Sequence, residues 1–236
     1  MSNILITGSS RGIGAAIAAT LVGTPGVTIA GHATTGDATR IAADLDQPGA
    51  AARLWDEALA RLDGRVDVLV NNAGVFEANP IETADDAWLA AWERTMRVNL
   101  TAAAELCRLA VRHWRAGGGG GRIVNVASRA AYRGDSPAHW HYAAAKAGMV
   151  AMTKTIARGY AAEGILAFAV CPGFTMTGMA DDYLASRGGD RLLADIPLGR
   201  VAQPEEVARV ARFLALEAPA SMTGAIIDVN GASYVR

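Results

Sequence analysis

Cysteine is scarce in this chain. Cys107 and Cys171 are the only two among 236 residues, and they are widely spaced. A disulfide framework is therefore excluded as the organising device, and a reducing, cytoplasmic compartment is expected. Neither sign of charge is in excess: the formal net charge is −1. That argues against the basic stripe a nucleic-acid partner would need, and against an acidic tail. No stretch of about 20 apolar residues occurs, so no membrane span is expected. The N-terminus lacks a cationic segment followed by a long apolar run, so no signal peptide is expected either. Metal-ligand spacing is also missing. His139 and His141 flank Trp140, but residues at i and i+2 do not share a helix face, and no carboxylate motif accompanies them.

What the chain does have is apolar content, 51% of its residues. At this length that supports a single α/β domain over residues 1–236 with a sizeable core. Short apolar runs at Asn3–Thr7, Val27–Gly31, Arg40–Ala43, Val66–Val70, Ile123–Ala127, Leu166–Val170 and Ile226–Val229 read as strands. Between them lie helical stretches: one after Gly14 to about Val22, then Ala50–Leu62, Asp85–Trp92, Thr95–Trp114, the helix carrying Tyr142, and Pro204–Leu216. The link from the second to the third strand is too short for a full crossover helix, which takes a dozen residues or more. Gly117–Gly121, five glycines in a row, reads as a flexible turn. The alternation predicts a Rossmann-type, doubly wound parallel sheet with helices on both faces.

Two stretches carry chemistry. TGSSRGIG, Thr7–Gly14, lies between a strand and a helix. Gly8, Gly12 and Gly14 let the backbone turn tightly and approach a phosphate, which the helix N-terminus attracts. In that context the motif predicts a dinucleotide site. The tip of the second strand, Gly31–Thr35, then bears on the choice of cofactor. It offers His32, Thr34 and Thr35 as donors and no carboxylate, although Asp37 and Asp44 lie close in sequence. Arg11 supplies a cation from the glycine loop. Burying a 2′-phosphate beside a carboxylate would be unfavourable, so this set favours NADP(H) over NAD(H).

The second stretch is Ser128–Lys146. Tyr142 and Lys146 are four residues apart in Ala-rich, helix-forming sequence, which puts both on one face. A phenol has an unperturbed pKa of about 10, and an ammonium beside it is expected to lower that value toward the working range. Ser128 falls at the C-terminal end of a strand, where open parallel sheets bind ligands. Beyond Pro172 and Gly173 an irregular segment runs to about Gly199, and residues around Met176–Ile196 are expected to act as a lid and shape the substrate pocket. Trp140 is open between lining that pocket and ordinary packing. Cys171 reads as core, and the Asp181–Asp182 and Glu205–Glu206 pairs read as solvated helix-end charges.

With TGSSRGIG, Asp44–Leu45, NNAG at Asn71–Gly74, Asn99 in RVNL, Ser128 in NVAS, YAAAK at Tyr142–Lys146, Pro172–Gly173 and the closing IIDVNGA, the chain resembles the short-chain dehydrogenase/reductase family over nearly its whole length. Within that family the segment IPLGRVAQPEEVARVARFLA, Ile196–Ala215, and the general spacing make it look most like the 3-oxoacyl-carrier-protein reductases. The resemblance implies that Tyr142 transfers a proton to or from the substrate oxygen and that Lys146 holds the nicotinamide ribose and tunes Tyr142. It also implies that Ser128 holds the carbonyl and that Asn99 helps place a water. The implied cofactor contacts are Gly8, Ser10, Arg11, Gly12, Ile13, Gly14, His32, Asp44, Leu45, Asn72, Ala73, Gly74, Tyr142, Lys146, Pro172, Gly173 and Thr175. Basic residues at the position of Arg11 commonly accompany NADP(H) in the family. The implied reaction is reduction of a ketone, small or acyl-carrier-bound, to a secondary alcohol or the reverse, in a homotetramer. Two alternatives stand beside it: an NAD-dependent alcohol dehydrogenase of the same family, and a non-catalytic dinucleotide-binding sensor or structural protein. Two departures from the family pattern are present. Ser128 and Tyr142 are one residue further apart than is common, so the loop at Pro137–Trp140 should bulge. The segment before Asp44 is short, its usual helix reduced to a turn.

Overall fold

The structure, a computed structural model, describes residues 1–177 and 193–236. Its strands are β1 (Ser2–Ile6), β2 (Val27–Ala33), β3 (Arg40–Ala42), β4 (Val68–Asn71), β5 (Gly121–Val126), β6 (Ile165–Pro172) and β7 (Ile226–Val229). They form one sheet in the order β3-β2-β1-β4-β5-β6-β7, every pair parallel. The order reverses between β1 and β4, which opens a crevice at their C-terminal ends.

The apolar runs are explained by two-sided burial. All eight residues of β6 are buried, because helices cover both faces of the sheet. Ile4, Ile6, Val68 and Val70 pack toward α1 (Gly12–Leu21) and the C-terminal helix Pro204–Leu216, here α7. Leu5, Leu69 and Ile123 point the other way, onto α2 (Ala50–Arg61) and α4 (Ala102–Ala116). Alternate residues of one strand thus feed opposite cores. α7 starts with Pro204 at its first turn, and a capping box joins the Gln203 backbone N–H to Glu206 Oε2 at 2.7 Å. Of the two acidic pairs, Glu205–Glu206 sits in this first turn, and Asp181–Asp182 lies outside the described residues.

The β2–β3 link is a loop with no helix, as its length implied: the Asp37 side chain accepts from the backbone N–H groups of Thr39 and Arg40 and closes a tight turn. Two other elements differ from the sequence reading. The long helix expected over Thr95–Trp114 is interrupted. α3 (Asp85–Met96) passes into a π-turn at Arg97–Thr101 before α4 begins. The glycine run is also more than a flexible link. A Cβ on Gly121 would sit 2.1 Å from the Trp114 ring, whose indole N–H donates to the Val66 carbonyl at 2.6 Å. Close packing, not mobility, requires that glycine.

Candidate active site

The glycine loop leaves β1 at the sheet's crevice. Gly8 and Gly12 have φ of +65° and +55°, a region that side chains disfavour. The loop is pinned from below. Asn72 Nδ2 donates to the carbonyls of Thr7 and Gly8 at 3.1 and 2.9 Å. Thr7 Oγ1 accepts from the backbone N–H groups of Asn72 and Ala73 at 2.9 and 3.0 Å. The NNAG segment after β4 is therefore the clamp that holds the loop in shape.

His32 completes the clamp, and this corrects the sequence reading. It is buried, with Nδ1 accepting the Gly8 N–H at 3.1 Å and Nε2 paired with the Ala43 carbonyl at 2.8 Å. An acceptor at Nδ1 puts the proton on Nε2, and burial lowers the imidazole pKa. Both nitrogens of this neutral ring are engaged within the protein, so His32 shapes the loop and is not a free donor to a phosphate. Thr34 and Arg11 stay exposed beside it. Asp37 is turned into an ion pair with Arg40 and does not line the cavity.

One cavity of about 740 Å³ runs from this loop to the Tyr142 helix, α6 (Trp140–Tyr160). It brings together the predicted Gly8, Ser10, Arg11, Gly12, Ile13, Gly14, His32, Asp44, Leu45, Asn72, Ala73, Gly74, Ser128, Tyr142, Lys146, Pro172, Gly173 and Thr175. Of the predicted set, Asn99 alone stands behind the wall. Its Oδ1 accepts the Val75 N–H at 2.7 Å and its Nδ2 donates to the Val75 carbonyl at 2.8 Å. The side chain is occupied, so a water held by Asn99 would have to use its main chain, within the π-turn. Such turns occur often at functional sites.

At the far end the Tyr142 hydroxyl hydrogen-bonds Ser128. Ser128 Oγ also accepts the N–H of Ala130, the first residue of the short helix α5 (Ala130–Arg133), at 3.1 Å, which fixes its rotamer. Lys146 is buried, and its Nζ donates to the Val126 carbonyl at 2.8 Å and lies 5.7 Å from the Tyr142 ring centroid. Burial pushes the Lys146 pKa down to about 8 and the Tyr142 pKa up to about 12, with the Ser128 hydrogen bond opposing the latter. The expected lowering of Tyr142 by Lys146 is thus not what this geometry gives. The ammonium is directed at a backbone carbonyl, and desolvation dominates.

Several lining residues were missed in the sequence. Phe76 stacks on His139 with centroids 3.9 Å apart and meets the Tyr142 ring edge-on at 4.8 Å. His139 is held by Ser136, Nδ1 to Oγ 2.7 Å, in a turn closed by the His139 N–H on the Ser136 carbonyl. The expected bulge between Ser128 and Tyr142 falls in this loop. Arg129 and Phe174 also line the cavity. Adjacency to Ser128, to NNAG and to Pro172–Gly173 was the available signal for Arg129, Phe76 and Phe174. Trp140 does not line it. It is 55% exposed and packs edge-on against Trp88. Cys171 is buried at the end of β6, its thiol pushed up to about 11 by desolvation, which suits core and not a nucleophile. Among the described residues no cluster could hold a metal ion, and no helix is long and apolar enough to cross a membrane. The expected lid lies largely outside the described residues.

Sheet topology and the Ser128–Tyr142–Lys146 grouping define a Rossmann-type oxidoreductase. A family model described as enoyl-(acyl carrier protein) reductase matches residues 8–232. The chain is 36% identical to cis-4-hydroxycyclohexanecarboxylate dehydrogenase of Sinomonas cyclohexanicum, over 96% of this chain and 94% of the relative. It is 36% identical to a 3-oxoacyl-(acyl-carrier-protein) reductase of Synechocystis sp., with the same coverage. It is 34% identical to acetoacetyl-CoA reductase of Rhizobium meliloti over 98% and 97%. A crystal structure described as a 2-deoxy-d-gluconate 3-dehydrogenase candidate from Agrobacterium tumefaciens, with bound NADP, superposes with a TM-score of 0.87. It is 30% identical and covers 98% of this chain and 96% of that one. The chain belongs to the short-chain dehydrogenase/reductase family.

Proposed function

We infer that the protein reduces a ketone to a secondary alcohol, or runs the reverse reaction, with NADP(H). The observation that carries the reading is the single cavity joining the glycine loop to Ser128, Tyr142 and Lys146. The loop fits a dinucleotide: a Cβ on Gly14 would meet the Gly8 carbonyl oxygen at 2.1 Å, so the backbone there is close-packed, and Gly12, Ile13 and Gly14 at the start of α1 line the cavity, where a helix N-terminus attracts an anion. When bound, the reduced nicotinamide supplies the hydride. Reduction of the carbonyl would place the C=O π pair on its oxygen as negative charge. The Tyr142 hydroxyl gives its proton to that oxygen while Ser128 holds it by a hydrogen bond. With the cofactor bound, Lys146 would hold its ribose, and a water on the Asn99 main chain would let a proton return to Tyr142 from solvent. A panel of ketones tested for cofactor oxidation checks the reading, and no turnover of any ketone with either cofactor would refute it. That outcome would favour the non-catalytic binding protein.

The preference for NADP(H) rests on Arg11 and Thr34, exposed at the loop and the β2 tip, and on the removal of Asp37 into its pair with Arg40. Relatives support it, since the Agrobacterium structure holds NADP. Arg11→Ala should shift the ratio of kcat/KM for NADPH over NADH by roughly tenfold or more, the scale of a hydrogen bond to a charged group. A parent enzyme that prefers NADH, or an unchanged ratio in the variant, would make this an NAD-dependent alcohol dehydrogenase instead.

Cytoplasmic location and a homotetramer belong to the same reading. The inward apolar faces of α4 and α6 are taken up by the protein's own core. The surplus lies nearby, where Leu89, Trp140 and Ile81 are each more than half exposed. Light scattering should give four times the 24.5 kDa chain mass, and a mass near one chain would refute the assembly.

A further inference from the structure

Arg129 lines the same cavity as Ser128 and Tyr142. It is 9% exposed, and its guanidinium lies over Phe174, Cζ 5.0 Å from the ring centroid. Its one ionic contact among the described residues is long: Nη1 stands 3.4 Å from Asp195 Oδ2. The same oxygen accepts from Arg133 Nη1 at 2.7 Å, within the range of a charge-assisted bond. Asp195 is therefore Arg133's partner, and Arg129 has its remainder. Burial, and then the like charge of Arg133, pull the Arg129 pKa down, against weaker opposite effects of Asp195 and the exposed Asp135. Arg122 shows how this protein satisfies a structural arginine. Its Nη1 donates to the Leu214 and Ala218 carbonyls, 3.1 and 2.8 Å, at the end of α7. Among the described residues Arg129 has no such carbonyl. A nearly buried guanidinium with one marginal acceptor, facing a cavity, is unfavourable unless something entering the cavity completes it.

We propose that Arg129 anchors a carboxylate carried by the substrate itself, so that the substrate is a free keto acid, or the hydroxy acid in reverse, and not an acyl thioester. This rests on the reductase reading above. The planar guanidinium can grip a carboxylate through two parallel bonds. A thioester places no charge near the ketone, and the phosphates of a carrier arm or coenzyme lie far along a chain from the carbonyl that Ser128 would hold.

The test compares acetoacetate, levulinate and 4-oxocyclohexanecarboxylate with their methyl esters and with the acetoacetyl thioester of N-acetylcysteamine. The best acid should exceed its ester in kcat/KM by roughly 10- to 100-fold, the effect of a hydrogen bond to a charged group. Arg129→Met should raise the KM for that acid by the same factor and abolish the preference for acid over ester. Arg129→Lys, which keeps the charge but not the fork, should fall between and serves if the Met variant does not fold. Esters or thioester turned over as well as the acids would overturn the proposal. Calorimetry on cofactor-saturated enzyme separates the two readings, because it needs no turnover. Cyclohexanecarboxylate should bind and cyclohexanecarboxamide should not, with binding lost in Arg129→Met. Arg129-dependent acid binding without reduction of any ketone keeps the anchor and removes the reductase. Equal binding of acid and amide removes the anchor even where ketones are reduced.

Discussion

Tyr142→Phe should lower kcat by about 10²- to 10⁴-fold, the usual contribution of a positioned proton donor, while cofactor affinity changes only a few-fold. The substitution removes one oxygen. The ring keeps its edge-on contact with Phe76 at 4.8 Å, and Lys146 keeps its bond to the Val126 carbonyl at 2.8 Å. What disappears is the hydroxyl that hydrogen-bonds Ser128. Burial holds that hydroxyl's pKa up at about 12, so at neutral pH it is protonated and ready to give a proton to a developing alkoxide. Single-turnover reduction with saturating cofactor measures the loss directly, and titration of the nucleotide measures its affinity. Near-normal turnover in the Phe variant would remove Tyr142 from the mechanism.

Much of this site could be read from spacing alone, because local periodicity dictates it. Tyr142 and Lys146 share a face of α6 because i and i+4 residues do in any helix. Ser128 stands beyond β5 because an apolar run ends there. The strand–glycine–helix order of Thr7–Gly14 placed the loop at the crevice for the same reason. What stayed hidden depends on direction and surroundings. Sequence gives no sign that Lys146 Nζ turns to Val126, and hence that desolvation outweighs its charge at Tyr142. Nor does it tell that His32 faces inward to Gly8 and Ala43, because strand alternation leaves either face open at a sheet whose two sides are both covered. Asn99 reads as ordinary helix, since nothing local shows that its side chain bonds the distant Val75 backbone within a π-turn. Arg129 belongs to none of the motifs, and only the fold puts it in the cavity wall.

Gly14→Ala should cripple cofactor binding, against what helix propensity would suggest. Gly14 lies inside α1 and its φ is not positive, so alanine is compatible with the local backbone. By propensity alone the change should stabilise by roughly 0.5–1 kcal/mol. Space decides otherwise. The new Cβ would lie 2.1 Å from the Gly8 carbonyl oxygen and 2.4 Å from Asn72 Nδ2. Neither can retreat cheaply: the oxygen is backbone, and Asn72 is bonded to it at 2.9 Å and to the Thr7 carbonyl at 3.1 Å. The loop must lift off α1, breaking the clamp that shapes it. Overpacking of this kind costs about 1–3 kcal/mol, and a loop lifted off the helix N-terminus loses the amides it would aim at a pyrophosphate. Gly159→Ala is the control. That glycine is also helical, near the end of α6, and a Cβ there meets nothing within 4 Å. Its Tm should rise by a few degrees for the propensity gain, as expected at this chain length. In Gly14→Ala, Tm should fall and nucleotide Kd should rise at least tenfold, read by melting curves and fluorescence titration. A Gly14→Ala protein that melts like Gly159→Ala and binds the cofactor normally would mean that the loop does not rest on this contact, and that the cradle for the dinucleotide lies elsewhere.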